Sequence, residues 1–551
     1  MKSKKLILMA LTIVMVISIF AGCNKTTSND TGTTKVPEGP LGKYEPEITL
    51  TSVRDIPNPA IVQYPDGDDI ENNVWTRAIK EDLGINVSYL WTVDSSQLQT
   101  RINTMIASKQ LPDFLYVPKG TYVELANEGL LADLTKSYNT YASDDVKRVY
   151  QEGGPDAMDS ALIDGKMMGI PWISMAKEDA QLLWLRTDWL DNLGLQMPKN
   201  MDDLINIAIQ FATKDPDKNG QNDTFGLPVN GVTDGGLMWQ KGFFNGYGAY
   251  PFAWIEKNSK LVYGSIQPKV REALAKMAEL YARKDSTIDL EFINKNYFSM
   301  YEPLSAGKYG IAYGPYYIAI SPLQAVKTRN PKAEWKPVSI VSKSGEPAKV
   351  QTNIDVAGYW VVNKNCKNPD AVVKLINYWY QKFYFNRDNA DYEKFINGPV
   401  YTGIYNNSPI ISYRSWNNLE AYTQVKDVVD GKKTADTLAP IPRDYYNGMQ
   451  KYKDGDNSSW SAQKCYEAVM GGLLDYKNNN LFMNDMTYFT MSDDVGRKFA
   501  TFQVKEKEVF TKIIMGEYNI SKFDELVNEW KRVGGDDVDV AANDWYNSIK
   551  K

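Results

Sequence analysis

The chain has no histidine in 551 residues. That excludes Ser/His/Asp and Cys/His nucleophilic sites, histidine general bases and histidine-ligated zinc. It has three cysteines, Cys23, Cys366 and Cys465, too few for a disulfide scaffold. A Cys366–Cys465 bridge stays open, since a separation of 99 positions fixes no geometry. There is no cationic excess: 62 Lys and Arg against 68 Asp and Glu give a net charge of −6, which excludes a strongly basic nucleic-acid binder. Beyond the N-terminus no apolar run is long enough to cross a bilayer. What remains is globular: 43% hydrophobic, 24% charged and 12% aromatic, with 35 tyrosines, and a length fit for two to four domains. Carboxylate chemistry and pure binding survive these exclusions.

The N-terminus reads as an address. Lys2, Lys4 and Lys5 precede the apolar run Leu6–Ala21, and Ala21-Gly22-Cys23 follows. The pattern predicts a secretory signal over residues 1–22, ending like a bacterial lipobox with Cys23 as the lipidated first residue of the mature chain. A short uncleaved membrane helix is the alternative, and either places the rest outside the cytoplasm. Residues 23–46, rich in Thr, Ser, Gly, Pro and Lys, read as a flexible tether.

The body alternates strands and helices. Ile48–Ser52, Ile85–Leu90 and Phe114–Val117 read as strands, with helices at Asn72–Leu83 and Gln97–Ser108 between them. This rhythm predicts a mostly parallel sheet under helices. Asn200 starts a helix over Met201–Thr213, Asn368-Pro369 starts another, and Ser521 a third that Gly534-Gly535 ends.

One loop has cation-ligand spacing. Asp215, Asp217, Asn219 and Asp223 stand at positions 1, 3, 5 and 9, with Gly220 at 6 and the Gln221 carbonyl at 7. This is the EF-hand pattern for Ca2+, lacking the bidentate Glu at position 12, where Gly226 stands. Thr224, a water or a distant residue would complete the shell. The alternative is an Asx-rich turn that binds nothing.

Four stretches then carry a resemblance: Gly165–Pro171 with Leu183–Leu190, the Asp215 loop, Gly307–Tyr316, and Phe510–Gly516 through Trp530 and Gly534–Asp536. In this order the chain resembles the bacterial extracellular solute-binding proteins of family 1. These are the lipoprotein receptors of carbohydrate ABC importers, and the likeness is to the long subgroup with the alginate-oligosaccharide-binding proteins. The resemblance implies an α/β, two-lobed periplasmic-binding-protein-like fold of class II type, with hinge strands and an interlobe ligand cleft. It places lobe 1 at 47–173 plus 361–400, lobe 2 at 174–360 plus 401–551, and the second crossing at Val356–Asn363.

A sugar cleft needs flat aromatic platforms and planar polar groups. The candidates are Trp172 at the first crossing, Trp239 in a glycine-rich stretch, Tyr316, which aligns with a sugar-stacking Trp of the maltose-binding relative, and Tyr413 and Trp416 flanking Arg414. The polar candidates are Asp179, which aligns with a sugar-contacting Glu of that relative, Arg186, and Arg54 after the first strand. Each has a plain alternative as core, ion-pair or surface residue. The implied function is capture of an oligosaccharide and delivery to permease subunits, by a monomer anchored through its lipid alone and without catalysis. The rivals are a secreted carboxylate-dependent glycan-cleaving enzyme and a receptor for a non-sugar ligand such as a peptide.

Overall fold

The computed structural model describes residues 36–56, 64, 67–229, 240–289, 300–385, 389–397, 404–489 and 491–550. The first strand β1 (Ile48–Ile56) leads to helix α1 (Val74–Leu83) and back to β2 (Ile85–Asp94), which pairs with β1 in parallel. Local chemistry sets the ends of α1. The Asn73 side chain accepts from the backbone of Trp75 and Thr76 while Thr76 answers to Asn73, a capping box. Gly84, at φ 64°, stops the helix in a left-handed turn. A Cβ there would lie 2.2 Å from the Tyr44 carbonyl, so the turn also needs glycine for space. The inward stripe of α1 is Trp75, Ala78, Ile79 and Leu83, and Trp75 packs 5.1 Å from Trp379.

Next come α2 (Leu98–Ala107), β3 (Phe114–Val117) and β4 (Ile170–Ile173). Residues 174–181 then carry the chain into a second body: β5 (Leu182–Arg186), α3 (Met201–Thr213), β6 (Ile311–Gly314), β7 (Trp335–Val338) and β8 (Val350–Asn353). It returns in β9 (Val356–Val362), followed by α4 (Asp370–Tyr380), α5 (Asn417–Val429) and β10 (Phe482–Asp485). Three helices close the chain, α6 (Asp493–Ile514), α7 (Ser521–Arg532) and α8 (Gly535–Ile549). Asn200 caps α3 through the Asp203 amide, as its sequence predicts.

Two sheets anchor two lobes. In lobe 1, β9 runs antiparallel between β3 and β4. In lobe 2, β5 runs antiparallel between β6 and β7. The expected mostly parallel sheet is therefore corrected: parallel pairing holds for β1–β2 and β8–β10. A βαβ crossover imposes parallel pairing only on strands it joins directly. The strands β4 and β9 are joined by a passage through the other lobe, which leaves their direction free.

Two further expectations change, and the open question of a Cys366–Cys465 bridge is answered. β9 pairs with lobe 1 strands along its length, Val356 opposite Ile173, so the second crossing falls before Val356 and not within Val356–Asn363. The expected tether to residue 46 ends sooner. The Lys374 ammonium donates to the carbonyls of Pro37 and Gly39, the Asn377 amide donates to the Pro40 carbonyl at 2.9 Å, and Tyr44 is fully buried. Cys366 and Cys465 are both free thiols. No described helix is long and apolar enough to cross a membrane.

Candidate functional site

A cavity of about 380 Å³ opens at the carboxyl end of β1, where open α/β sheets place ligands. β1 contributes Val53, Arg54 and Asp55, and α2 contributes Leu98 and Ile102. Its aromatic wall is Tyr116 from β3, Trp172 from β4 and Trp360 from β9. The wall is set by strand pairing, which puts Trp172 opposite Gly358 and Tyr116 opposite Trp360. Tyr116 stands edge-on to Trp172, with ring centroids 4.6 Å apart and planes at 84°, and donates its hydroxyl to the Ala357 carbonyl at 3.0 Å. Gly358 makes room for this: a Cβ there would come within 2.6 Å of the Tyr116 hydroxyl and the Val117 carbonyl. Burial pushes the Tyr116 phenol up to about 12.

The opposite wall is the segment 406–411. Arg54 donates to the carbonyls of Asn406 (2.7 Å) and Ser408 (3.2 Å), and Trp360 donates to that of Ile411 (2.8 Å). These bonds tie the segment to lobe 1, although the lobe boundaries expected from sequence put it in lobe 2. Asp55 accepts from the Ser95 hydroxyl at 2.5 Å.

The floor between the lobes is polar and buried. The Lys177 backbone donates to Asp355 at 3.0 Å, and its ammonium lies 3.5 Å from the same carboxylate while donating to the Gly153 carbonyl. Burial pushes Asp355 up to about 6, against the pull of Lys177. Glu178 accepts from the backbone of Asn418 and Leu419 and from the Asn418 amide, each at 2.8 Å, and so caps α5. Burial still pushes its carboxyl up to about 7. Asp179 reaches solvent but is ringed closely enough by protein to sit above its ordinary value, with the Tyr317 hydroxyl and Lys241 pulling the other way.

The structure sorts the expected residues. Arg54 and Trp172 line the cavity, and Tyr413 extends the aromatic group, its ring 6.4 Å from Trp172. Tyr316 packs on Tyr317 and Tyr422, and its neighbour Tyr317 is the residue bonded to Asp179. Trp416 is buried and donates to the Glu152 carbonyl at 3.0 Å, so it is core at the lobe junction. Arg186 is buried in a forked pair with Asp188, at 2.8 and 2.6 Å, and lies over the Trp189 ring at 4.5 Å. Both leave the site for the same reason: their polar atoms have internal partners. Trp239 lies outside the described residues, as does Cys23. Sequence reading missed Tyr116 and Trp360, although aromatics on the strands beside the crossing were a usable signal.

The loop at 215–224 gathers its oxygens loosely. The Asn219 amide donates to Asp217 at 3.0 Å and Asp223 at 3.1 Å, while Asp215 accepts from the backbone of Asn219 and Gly220. The Gln221 backbone donates to Asn219, and Lys308 lies 3.2 Å from Asp223. One Asp217 oxygen is buried without a partner, and burial beside Asp215 and Asp223 raises its carboxyl. That orphaned oxygen and the all-oxygen donor set fit a hard cation. Among the described residues, however, no three carboxylate or thiol side chains converge on one point. Thr224 leaves the donor set, because its buried hydroxyl donates to the Phe211 carbonyl at 2.7 Å.

Comparison with known proteins places this geometry. The family model for bacterial extracellular solute-binding proteins matches residues 66–382. The polygalacturonan/rhamnogalacturonan-binding protein YtcQ of Bacillus subtilis is 27% identical over 243 residues, 43% of this chain and 46% of that one. The chain thus spans about half the length of the curated relatives it matches. Among solved structures, an HMO-binding, ABC-transporter-associated solute-binding protein of Bifidobacterium longum infantis has the same two-lobed fold. It superposes with a TM-score of 0.62 at 16% identity, covering 92% of this chain and 99% of that one. An EF-hand mutant of the Streptococcus pneumoniae substrate-binding protein FusA, in complex with fructo-nystose, gives 0.55 at 16% identity, covering 91% and 99%. The match over more than half of its length makes this chain a member of the bacterial extracellular solute-binding protein family.

Proposed function

We propose that the chain is a receptor that captures an oligosaccharide between its lobes and delivers it to the permease of an ABC importer, without chemistry on the cargo. The observation that carries this reading is the lobe 1 cavity: aromatic faces of Tyr116, Trp172 and Trp360 together with the charged residues Arg54 and Asp55. Aromatic faces suit the C–H side of a sugar, and the charged residues suit its hydroxyls. Ligand that touches both lobes stabilises a closed state by contacts absent from the open one. YtcQ as a polygalacturonan/rhamnogalacturonan-binding protein and the Bifidobacterium protein as an HMO-binding one support a saccharide cargo.

A glycan-cleaving enzyme would need two carboxylates flanking one bond. The described lining of this cavity carries one, Asp55. The reading further includes lipidation at Cys23, which would hold the monomeric body at the outer face of the cell membrane. It also includes Ca2+ at Asp215, Asp217, Asn219 and Asp223, where the ion would neutralise crowded carboxylates and brace the loop. The FusA mutant's EF-hand supports this last point.

A thermal-shift screen of residues 24–551 against oligosaccharides and peptides tests the proposal. A saccharide at 100 times its dissociation constant should add about 2.7 kcal/mol of stability. A shift with peptides alone would overturn the sugar reading.

A further inference from the structure

Which sugars the cleft accepts depends on whether it holds a cation that is not already matched. Arg186 is bonded to Asp188, and Arg414 is bonded to Glu152 (3.0 and 2.6 Å) and paired with Glu420. Arg54 is the one cation among the described residues lining the lobe 1 cavity, and Asp55 beside it is the one anion. Two Arg54 N–H groups are bonded to backbone carbonyls, and the guanidinium lies 5.9 Å from the Tyr89 ring centre. The rest of the described lining is aromatic, aliphatic or uncharged, so the cavity is electrically balanced.

The groups that meet across the two lobes repeat the balance. Lys241 faces both Asp179 and Asp485. Lys119 faces Asp485, donates to the Thr487 carbonyl and lies 4.3 Å from the Tyr488 ring centre. Burial lowers both lysines, Lys119 to about 7, which further thins the positive field. The chain as a whole is anionic, at −6.

We propose that the cleft selects uncharged oligosaccharides, with Arg54 offering a donor and Asp55 an acceptor to hydroxyls of the sugar unit that enters the lobe 1 cavity. This rests on the receptor reading above. A hydroxyl both donates and accepts, so the Arg54 N–H groups left over from its two backbone bonds and the Asp55 carboxylate each suit a sugar hydroxyl. A uronate carboxylate would meet Asp55 as a like charge and find its cation already half engaged.

The test is calorimetric titration of residues 24–551 with two panels. One holds neutral fructo-, galacto-, manno- and xylo-oligosaccharides; the other holds oligogalacturonates and oligoalginates. The expected result is a neutral ligand that binds at least about tenfold tighter than any acidic one, with an affinity unchanged between about 50 and 500 mM salt. Asp55→Asn should then weaken that ligand by about tenfold. Tightest binding by an acidic sugar, weakened by salt and improved by Asp55→Asn, would overturn the proposal and leave the receptor reading standing. Binding of no saccharide in either panel would overturn both.

Discussion

Replacing Trp172 by alanine separates a binding wall from a structural core. Trp172 is half-buried and edge-braced by Tyr116, with its remaining face on the cavity. A tryptophan offers roughly 150–250 Å² of surface. If a sugar covers roughly 80 Å² of that, the loss at about 25 cal/mol per Å² is about 2 kcal/mol. That is about a 30-fold rise in Kd. Trp416→Ala is the matched control. Trp416 is buried and hydrogen-bonded to Glu152, so its removal should cost about 3–5 kcal/mol of stability through the cavity it leaves. Calorimetric affinity and denaturant unfolding, measured on both variants, read the two effects. If Trp172→Ala bound ligand like the parent, or if it lost as much stability as Trp416→Ala, the assignment of the wall would fail.

Other perturbations have equally definite outcomes. The raised Glu178 carboxyl favours the folded state below its unfolded value near 4.5, and that contribution disappears as pH rises through about 7. The stability of the parent minus that of Glu178→Gln should therefore fall across this window, by at most about 3 kcal/mol, and a flat difference would show an ordinary carboxylate. Gly358→Ala should move Tyr116 off β9 and weaken ligand binding more than it lowers Tm; an unchanged affinity would show that the position of the Tyr116 ring does not matter. Millimolar Ca2+ should raise the Tm of the parent and not of an Asp215→Asn, Asp217→Asn double variant. Equal shifts in both would place the ion elsewhere.

The sequence makes local features legible and distant ones obscure. Asn200 and Gly84 act within a few residues of themselves, so α3 and the end of α1 follow from spacing and cap chemistry. Sheet direction does not, because β9 takes its partners from β3 and β4, both far upstream. The site divides the same way. Arg54 and Trp172 stand where strand ends and crossings put them. Arg186 and Trp416 carry the same side-chain chemistry, but Asp188 and the Glu152 carbonyl claim their polar atoms. No pattern in sequence distinguishes an arginine that lines a cavity from one already paired with a carboxylate. Tyr116 and Trp360 were hidden for the opposite reason, since aromatics in short apolar strands read as core until pairing shows which face meets the cavity.

The central claim is capture without turnover, and it is tested most directly by titrating residues 24–551 with a saccharide that shifts its Tm and then recovering that saccharide. The account predicts one site per chain, loss of binding in the Trp172→Ala, Arg54→Ala double variant, and cargo returned intact after prolonged incubation. Shortened cargo, or full binding by the double variant, would contradict it.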